Sequence, residues 1–63
     1  MVELQIWKNG AWTLLARMDY AIQEADMIAL ARAVAVTPGI DAENVALVDA
    51  ATGEVFWDLA HNG

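Results

Sequence analysis

The chain has 63 residues, of which 59% are hydrophobic and none is cysteine, so it forms a single domain at most and has no disulfide to support a small core. Nine acidic residues against three basic ones give a net charge of −6. This balance argues against nucleic acid and anionic membranes as direct ligands, because both are bound by clustered Lys and Arg.

The first predicted element is a hairpin over residues 2–18 with its turn at Asn9-Gly10. The loop length decides which side chains share a face, since a shift of one residue moves a whole strand's side chains to the opposite face. A three-residue loop, Lys8-Asn9-Gly10, makes one face wholly apolar, with Val2, Leu4, Ile6, Trp12, Leu14, Ala16 and Met18 on it. We therefore predict this loop, with Gly10 in the left-handed region as a bulge.

A helix is predicted over residues 20–36, with Asp19 as its cap and with Pro38 and Gly39 ending it. One apolar stripe of this helix is rich in alanine and is expected to face the sheet: Ala21, Ile22, Ala25, Ile28, Ala29 and Val36. Its small side chains would let the helix approach Trp12 and Trp57, which we also expect in the core. A second stripe is then left over, with Tyr20, Met27, Leu30, Ala31 and Val34.

A second hairpin is predicted over residues 44–59, around the segment Ala50-Ala51-Thr52-Gly53. Gly53 is placed as a bulge, and the Asp49 carboxylate is expected to accept backbone N–H groups of this segment. Pairing Ala50 with Glu54 puts Val45, Leu47, Val55, Trp57 and Leu59 on one face. The fold class that follows is α+β, with the order ββαββ and a four-stranded antiparallel sheet in the order 2-1-3-4 under one helix.

Apolar residues remain after this core is assigned. The outer sheet face would present Trp7, Leu15, Val48 and Phe56, and the helix would present Tyr20, Met27, Leu30 and Val34. Exposure of both sets is unusual for a stable monomer. The chain is therefore expected to form a homodimer through one of these surfaces, or to bind a different protein there.

The charge is uneven along the chain. Residues 40–63 contain no Lys or Arg and five acids, Asp41, Glu43, Asp49, Glu54 and Asp58. These acids would form an acidic surface that a basic or nucleic-acid-binding protein could recognise. The alternative is that they serve only to keep an apolar chain in solution.

The residues for common catalytic chemistry are missing. The chain has no Ser and no Cys, so the familiar nucleophiles are absent, and His61 is the only histidine. Asp58 and His61 have a spacing that could hold a metal on a helix, but they fall at a strand end and in the tail. Glu54 and Asp58 are expected to stay solvated. We predict neither enzyme activity nor a metal or other cofactor.

The start, Met-Val-Glu-Leu, lacks the features of a secretory signal, and no run of about 18 apolar residues is present, so a cytoplasmic chain with no membrane contact is expected. In size, acidity and predicted topology the chain resembles some small phage-encoded inhibitors of host defence, including several anti-CRISPR proteins. The resemblance implies an inhibitor that acts by protein–protein contact, with its acids in place of nucleic-acid phosphates as one form. The alternative function is a homo-oligomeric structural or accessory protein.

Overall fold

The computed structural model of the chain describes residues 1–62. Its elements, in chain order, are β1 (Val2–Lys8), β2 (Ala11–Met18), α1 (Glu24–Ala35), β3 (Asn44–Asp49), β4 (Val55–Asp58) and the short α2 (Leu59–Asn62). The strands form one antiparallel sheet in the order β2-β1-β3-β4, and α1 packs on one face of it. The predicted α+β class, the ββαββ order and the strand order are confirmed. The face of the sheet away from α1 is called the outer face below.

The turn of the first hairpin is tighter than predicted. Asn9 and Gly10 both have positive φ, 55° and 79°, and Lys8 pairs with Ala11 across them. This is a two-residue type I′ turn, which Asn-Gly adopts at low cost and whose twist matches that of the flanking strands. The three-residue loop was the wrong prediction.

A bulge then corrects the register further along β2. Leu15 is an extra residue between Leu14 and Ala16, so Leu4 pairs with Ala16 and Val2 with Met18, whereas Trp7 pairs with Trp12. Ala16 and Met18 therefore lie on the core face as predicted, although the three-residue loop would have paired Leu4 with Leu14. Trp12 and Leu14 consequently lie on the outer face and not in the core, and they are 43% and 44% exposed.

The buried face of the helix is rotated from the predicted one, and of the predicted stripe within α1 only Ile28 packs partly buried against the core. Met27 and Ala31 are buried against the sheet, whereas Ala25, Ala29 and Val36 are exposed. The two errors are linked, because removing the Trp12 ring from the core side leaves room for a side chain as large as that of Met27.

α1 also starts later than predicted. Asp19 does not cap the helix; its carboxylate accepts the N–H of Ala21 at 2.8 Å in a separate turn, and Gln23 occupies the N-cap position. The helix then begins at Glu24. Its first turn contains acidic side chains, whose negative charge interacts favourably with the positive end of the helix dipole.

In the second hairpin Leu47 pairs with Trp57 as predicted, and Trp57 is in the core at 6% exposure. Phe56 is an extra residue, so Val48 pairs with Val55 and the side chain of Val55 lies on the outer face, contrary to the prediction. The turn follows the predicted chemistry: Gly53 has a φ of 77°, and the Asp49 carboxylate accepts the Ala51 N–H at 2.9 Å.

Candidate protein-binding surfaces

The outer face carries two adjoining hollows. The first, of about 330 Å³, has Ala46 and Val48 among its lining residues and Trp12 and Val55 as walls. The second, of about 430 Å³, shares those two walls and continues past Phe56. Trp12 and Val55 therefore belong to one surface, and both are substantially exposed, at 43% and 53%.

Only part of this surface was predicted. Val48 is on it but is 7% exposed, while Leu15 and Phe56 are the extra residues of the two bulges, at 43% and 38% exposure. Trp7 is half-buried and meets Trp12 edge to face, with 5.4 Å between ring centroids.

Trp12, Leu14 and Val55 were assigned to the core and were missed as surface residues. Two signals for the first hairpin were present in the sequence. Asn-Gly favours the two-residue turn, and the adjacent pair Leu14-Leu15 breaks the alternation that a regular strand would keep. Together they indicate a bulge in β2.

The carboxylates beside the hollows are already paired. Glu3 accepts hydrogen bonds from Gln5 Nε2 at 3.0 Å and from Arg17 Nε at 3.3 Å. Asp58 contacts His61 Nδ1 at 2.8 and 2.9 Å. The outer face is thus largely apolar, with an ion pair between Glu3 and Arg17 and a hydrogen-bonded contact between Asp58 and the His61 ring at its margin.

Asp58 holds the start of α2. Its Oδ1 accepts the His61 N–H at 3.2 Å, and its Oδ2 accepts a hydrogen bond from Asn44 Nδ2 at 3.3 Å. The contact with the His61 ring is the main cause that lowers the pKa of Asp58. Within residues 1–62, no group of three or more His, Cys, Asp and Glu side chains is arranged to bind a metal ion.

The second apolar surface, predicted on the helix, does not form. Met27 is 4% exposed and Val34 packs partly buried against the core, which leaves Leu30 alone at 44% exposure on that stripe. Tyr20 lies outside the helix, and its hydroxyl donates a hydrogen bond to Asp49 Oδ1 at 2.7 Å.

The hydrogen bond between Tyr20 and Asp49 affects both titrations. It is the largest cause of the lowered pKa of Asp49, ahead of the N–H of Ala51, and the largest cause of the raised pKa of Tyr20. The loop that enters α1 is thereby tied to the end of β3.

The fold separates the five acids that were predicted to form one surface. Asp41, Glu43 and Asp58 lie where β3 begins and β4 ends, whereas Asp49 and Glu54 lie at the other end of the strands, roughly 20 Å away for a six-residue strand. That other end also receives acids from the first half of the chain. The group at this end, called the acidic end below, consists of Asp19, Glu24, Asp26, Asp49 and Glu54.

Comparison of the chain with protein-family models, with curated proteins and with solved structures finds no match. Neither helix in residues 1–62 has the length and apolar character needed to cross a bilayer. The function is therefore argued from the surfaces themselves.

Proposed function

We propose that this chain is a small non-enzymatic module that binds another protein through its outer face, as an inhibitor covers part of its target. The observation that supports this is the exposed pair Trp12 and Val55, which walls two adjoining hollows on the side that α1 leaves uncovered. Tryptophan in a hollow that a partner can seal from water is the residue type that contributes most to protein–protein affinity.

The charge of the chain favours a basic partner, and a nucleic-acid-binding protein is one instance. The carboxylates at the margin of the outer face are paired with Arg17 and His61, so apolar contact supplies most of the affinity there. The other acids, most of them at the two ends of the sheet, raise the association rate with a cationic protein and orient it. If the chain replaces nucleic acid on such a protein, these acids take the place of phosphates.

The experiment compares two variants with the same chemical change on opposite sides of the molecule. The wild type, Val55→Glu and Val36→Glu are immobilised and exposed to lysate of the source cell, and retained proteins are quantified by mass spectrometry. Val36 is 79% exposed at the end of α1, so it controls for the added charge. We expect at least one protein to bind the wild type and Val36→Glu and to be reduced about tenfold or more with Val55→Glu, because a buried carboxylate costs several kcal/mol.

Equal retention by Val55→Glu and Val36→Glu, with both variants folded by circular dichroism, would show that the outer face is not the binding surface. Whether the partner is basic is tested separately, by repeating the wild-type capture at about 0.5 M NaCl. Binding to a basic partner falls at this salt concentration, since charge steering is screened over a few ångströms. Unchanged capture contradicts the basic partner and leaves the apolar contact standing.

A further inference from the structure

β2 is an open edge of the sheet. It is the longest strand, with eight residues, and Ala11 to Leu15 are all exposed and carry no ionisable side chain. The other edge strand, β4, has four residues and runs directly into α2. An uncovered edge without charges or proline is a template for another strand. The backbone N–H and C=O groups that point away from the neighbouring strand have no partner in the sheet.

The type I′ turn determines which backbone groups point outward. Lys8 and Ala11 close the two-residue loop as a hydrogen-bonded pair, so Ile6 and Thr13 form the next such pair. The residues on either side of Thr13 belong to the alternate pairs and direct their N–H and C=O groups away from β1. They are Trp12 and Leu14, whose side chains both lie on the outer face.

We infer that β2 pairs antiparallel with β2 of a second copy of this chain, about a two-fold axis that passes through Thr13. In this register Trp12 lies opposite the partner's Leu14, and Leu14 lies opposite the partner's Trp12. About four main-chain hydrogen bonds form from the outward groups, two for each pair. The two sheets become one sheet, and side chains that are 43% and 44% exposed in one chain cover each other.

A second copy fits this edge better than a different protein. A two-fold axis requires a surface that complements itself, and a strand that pairs antiparallel with its own copy around Thr13 meets this requirement. Two chains of charge −6 repel each other least when they meet at a segment without charged side chains, and the segment from Ala11 to Leu15 is such a place. Arg17 falls opposite the partner's Asn9, so no like charges are brought together. A basic partner would find no carboxylate on this segment.

The inference uses the backbone edge of β2 and does not depend on the proposed function. The test is a chemically synthesised chain in which the backbone nitrogen of Leu14 carries a methyl group. This change removes one outward donor and blocks the edge, while every side chain keeps its identity. Sedimentation equilibrium of the wild type at rising micromolar to millimolar concentration is expected to show the mass increase from 6.8 kDa to about 13.6 kDa, and N-methyl-Leu14 is expected to remain at 6.8 kDa.

Two lysine variants supply a matched control. Leu14 and Leu30 are both 44% exposed, but Leu14 lies at the β2 edge and Leu30 on α1. Leu14→Lys places a cation against the partner's Trp12 edge, and we expect its dimer dissociation constant to rise at least tenfold, whereas Leu30→Lys leaves the constant unchanged. Backbone NMR shifts of both variants show whether the fold is retained.

Each other outcome overturns the inference. A wild type that stays monomeric up to about 1 mM has no such interface. A dimer that survives both the N-methyl change and Leu14→Lys uses another surface, and a dimer lost only in Leu30→Lys uses the helix. Because N-methyl-Leu14 keeps the outer-face side chains, capture of a partner by this monomer would show that the proposed function holds without self-association.

Discussion

Tyr20 and Asp49 join two parts of the chain that are 29 residues apart, through one hydrogen bond of 2.7 Å. This bond, reinforced by the N–H of Ala51, gives Asp49 a lower pKa in the folded chain than its ordinary value of about 3.9. The stabilisation from Asp49 is therefore complete above that value and is lost as the pH falls through the folded-state pKa. For Tyr20 the sign is reversed: its pKa is raised above about 10, so its stabilisation is present below pH 10 and is lost as the pH rises through the folded-state pKa.

The coupling can be measured directly, because Tyr20 is the only tyrosine in the chain. We expect Asp49→Ala to lower the pKa of Tyr20 toward about 10, as read from tyrosinate absorbance in a pH titration. Asp58→Ala is the matched control, since it removes a carboxylate at the opposite end of the sheet and should leave the Tyr20 titration unchanged. An Asp49→Ala titration that coincides with that of the wild type would disprove the coupling.

At the scale of the elements, the sequence alone did not determine which face of α1 packs against the sheet. A 12-residue helix with five alanines offers two apolar stripes of similar length, and its phase depends on where it begins. The later start at Glu24, together with the Trp12 ring on the outer face, favours the stripe that contains Met27. Core volume, and not the count of apolar residues, selects the face.

Two alanines on opposite sides of α1 test this assignment. Ala31 is fully buried and Ala29 is exposed. We expect Ala31→Leu to lower the free energy of unfolding by about 1–3 kcal/mol, because three added carbons must displace packed neighbours. Ala29→Leu should change it by less than about 0.5 kcal/mol. Urea unfolding followed by tryptophan fluorescence measures both, and the opposite ranking would mean that the helix packs with its alanine-rich face.

The pairing of the strands could be predicted only where the alternation of apolar and polar side chains indicates it. The pair Leu47 and Trp57 follows from alternating apolar residues, and so does the core face of Ala16 and Met18. The partners of Val2 and Leu4 do not follow, because the predicted loop gives a different register. Alternation alone does not reveal a bulge, because an extra residue shifts every later side chain to the other face while leaving each half of the strand regular. In β2 the bulge is indicated only when the Asn-Gly turn and the adjacent Leu14 and Leu15 are considered together. The candidate surface depends on these extra residues, so Trp12, Leu14 and Val55 were misplaced.

At the scale of the whole molecule, the acids are spread over a body of 29 × 20 × 20 Å. The Debye length is about 30 Å at 10 mM salt and about 8 Å at 150 mM, so at low salt the charges of both ends repel across the full length of the protein. Sequence position predicted a single acidic surface, but the antiparallel topology returns the chain and sends the acids to both ends. Only the three-dimensional path of the chain could show this.

We expect the melting temperature to rise by up to about 4 °C between 10 and 150 mM NaCl, because screening weakens this repulsion. The double variant Glu43→Gln/Glu54→Gln, which removes one acid from each end and changes the net charge from −6 to about −4, should melt at a higher temperature than the wild type at 10 mM NaCl and respond less to salt. Differential scanning calorimetry provides the comparison. A melting temperature that falls with salt would mean that attractive ion pairs outweigh the repulsion.

The bulge at Leu15 divides β2 into two segments under different constraints. Ala16 and Met18 pack with the core, while residues 11–14 are exposed along the free edge, with Trp12 and Leu14 on the outer face. Substitutions in the second segment can therefore accumulate without disturbing Val2, Leu4 or Met18. Mutation and selection can then change what this end of the hairpin binds while the folded body stays the same.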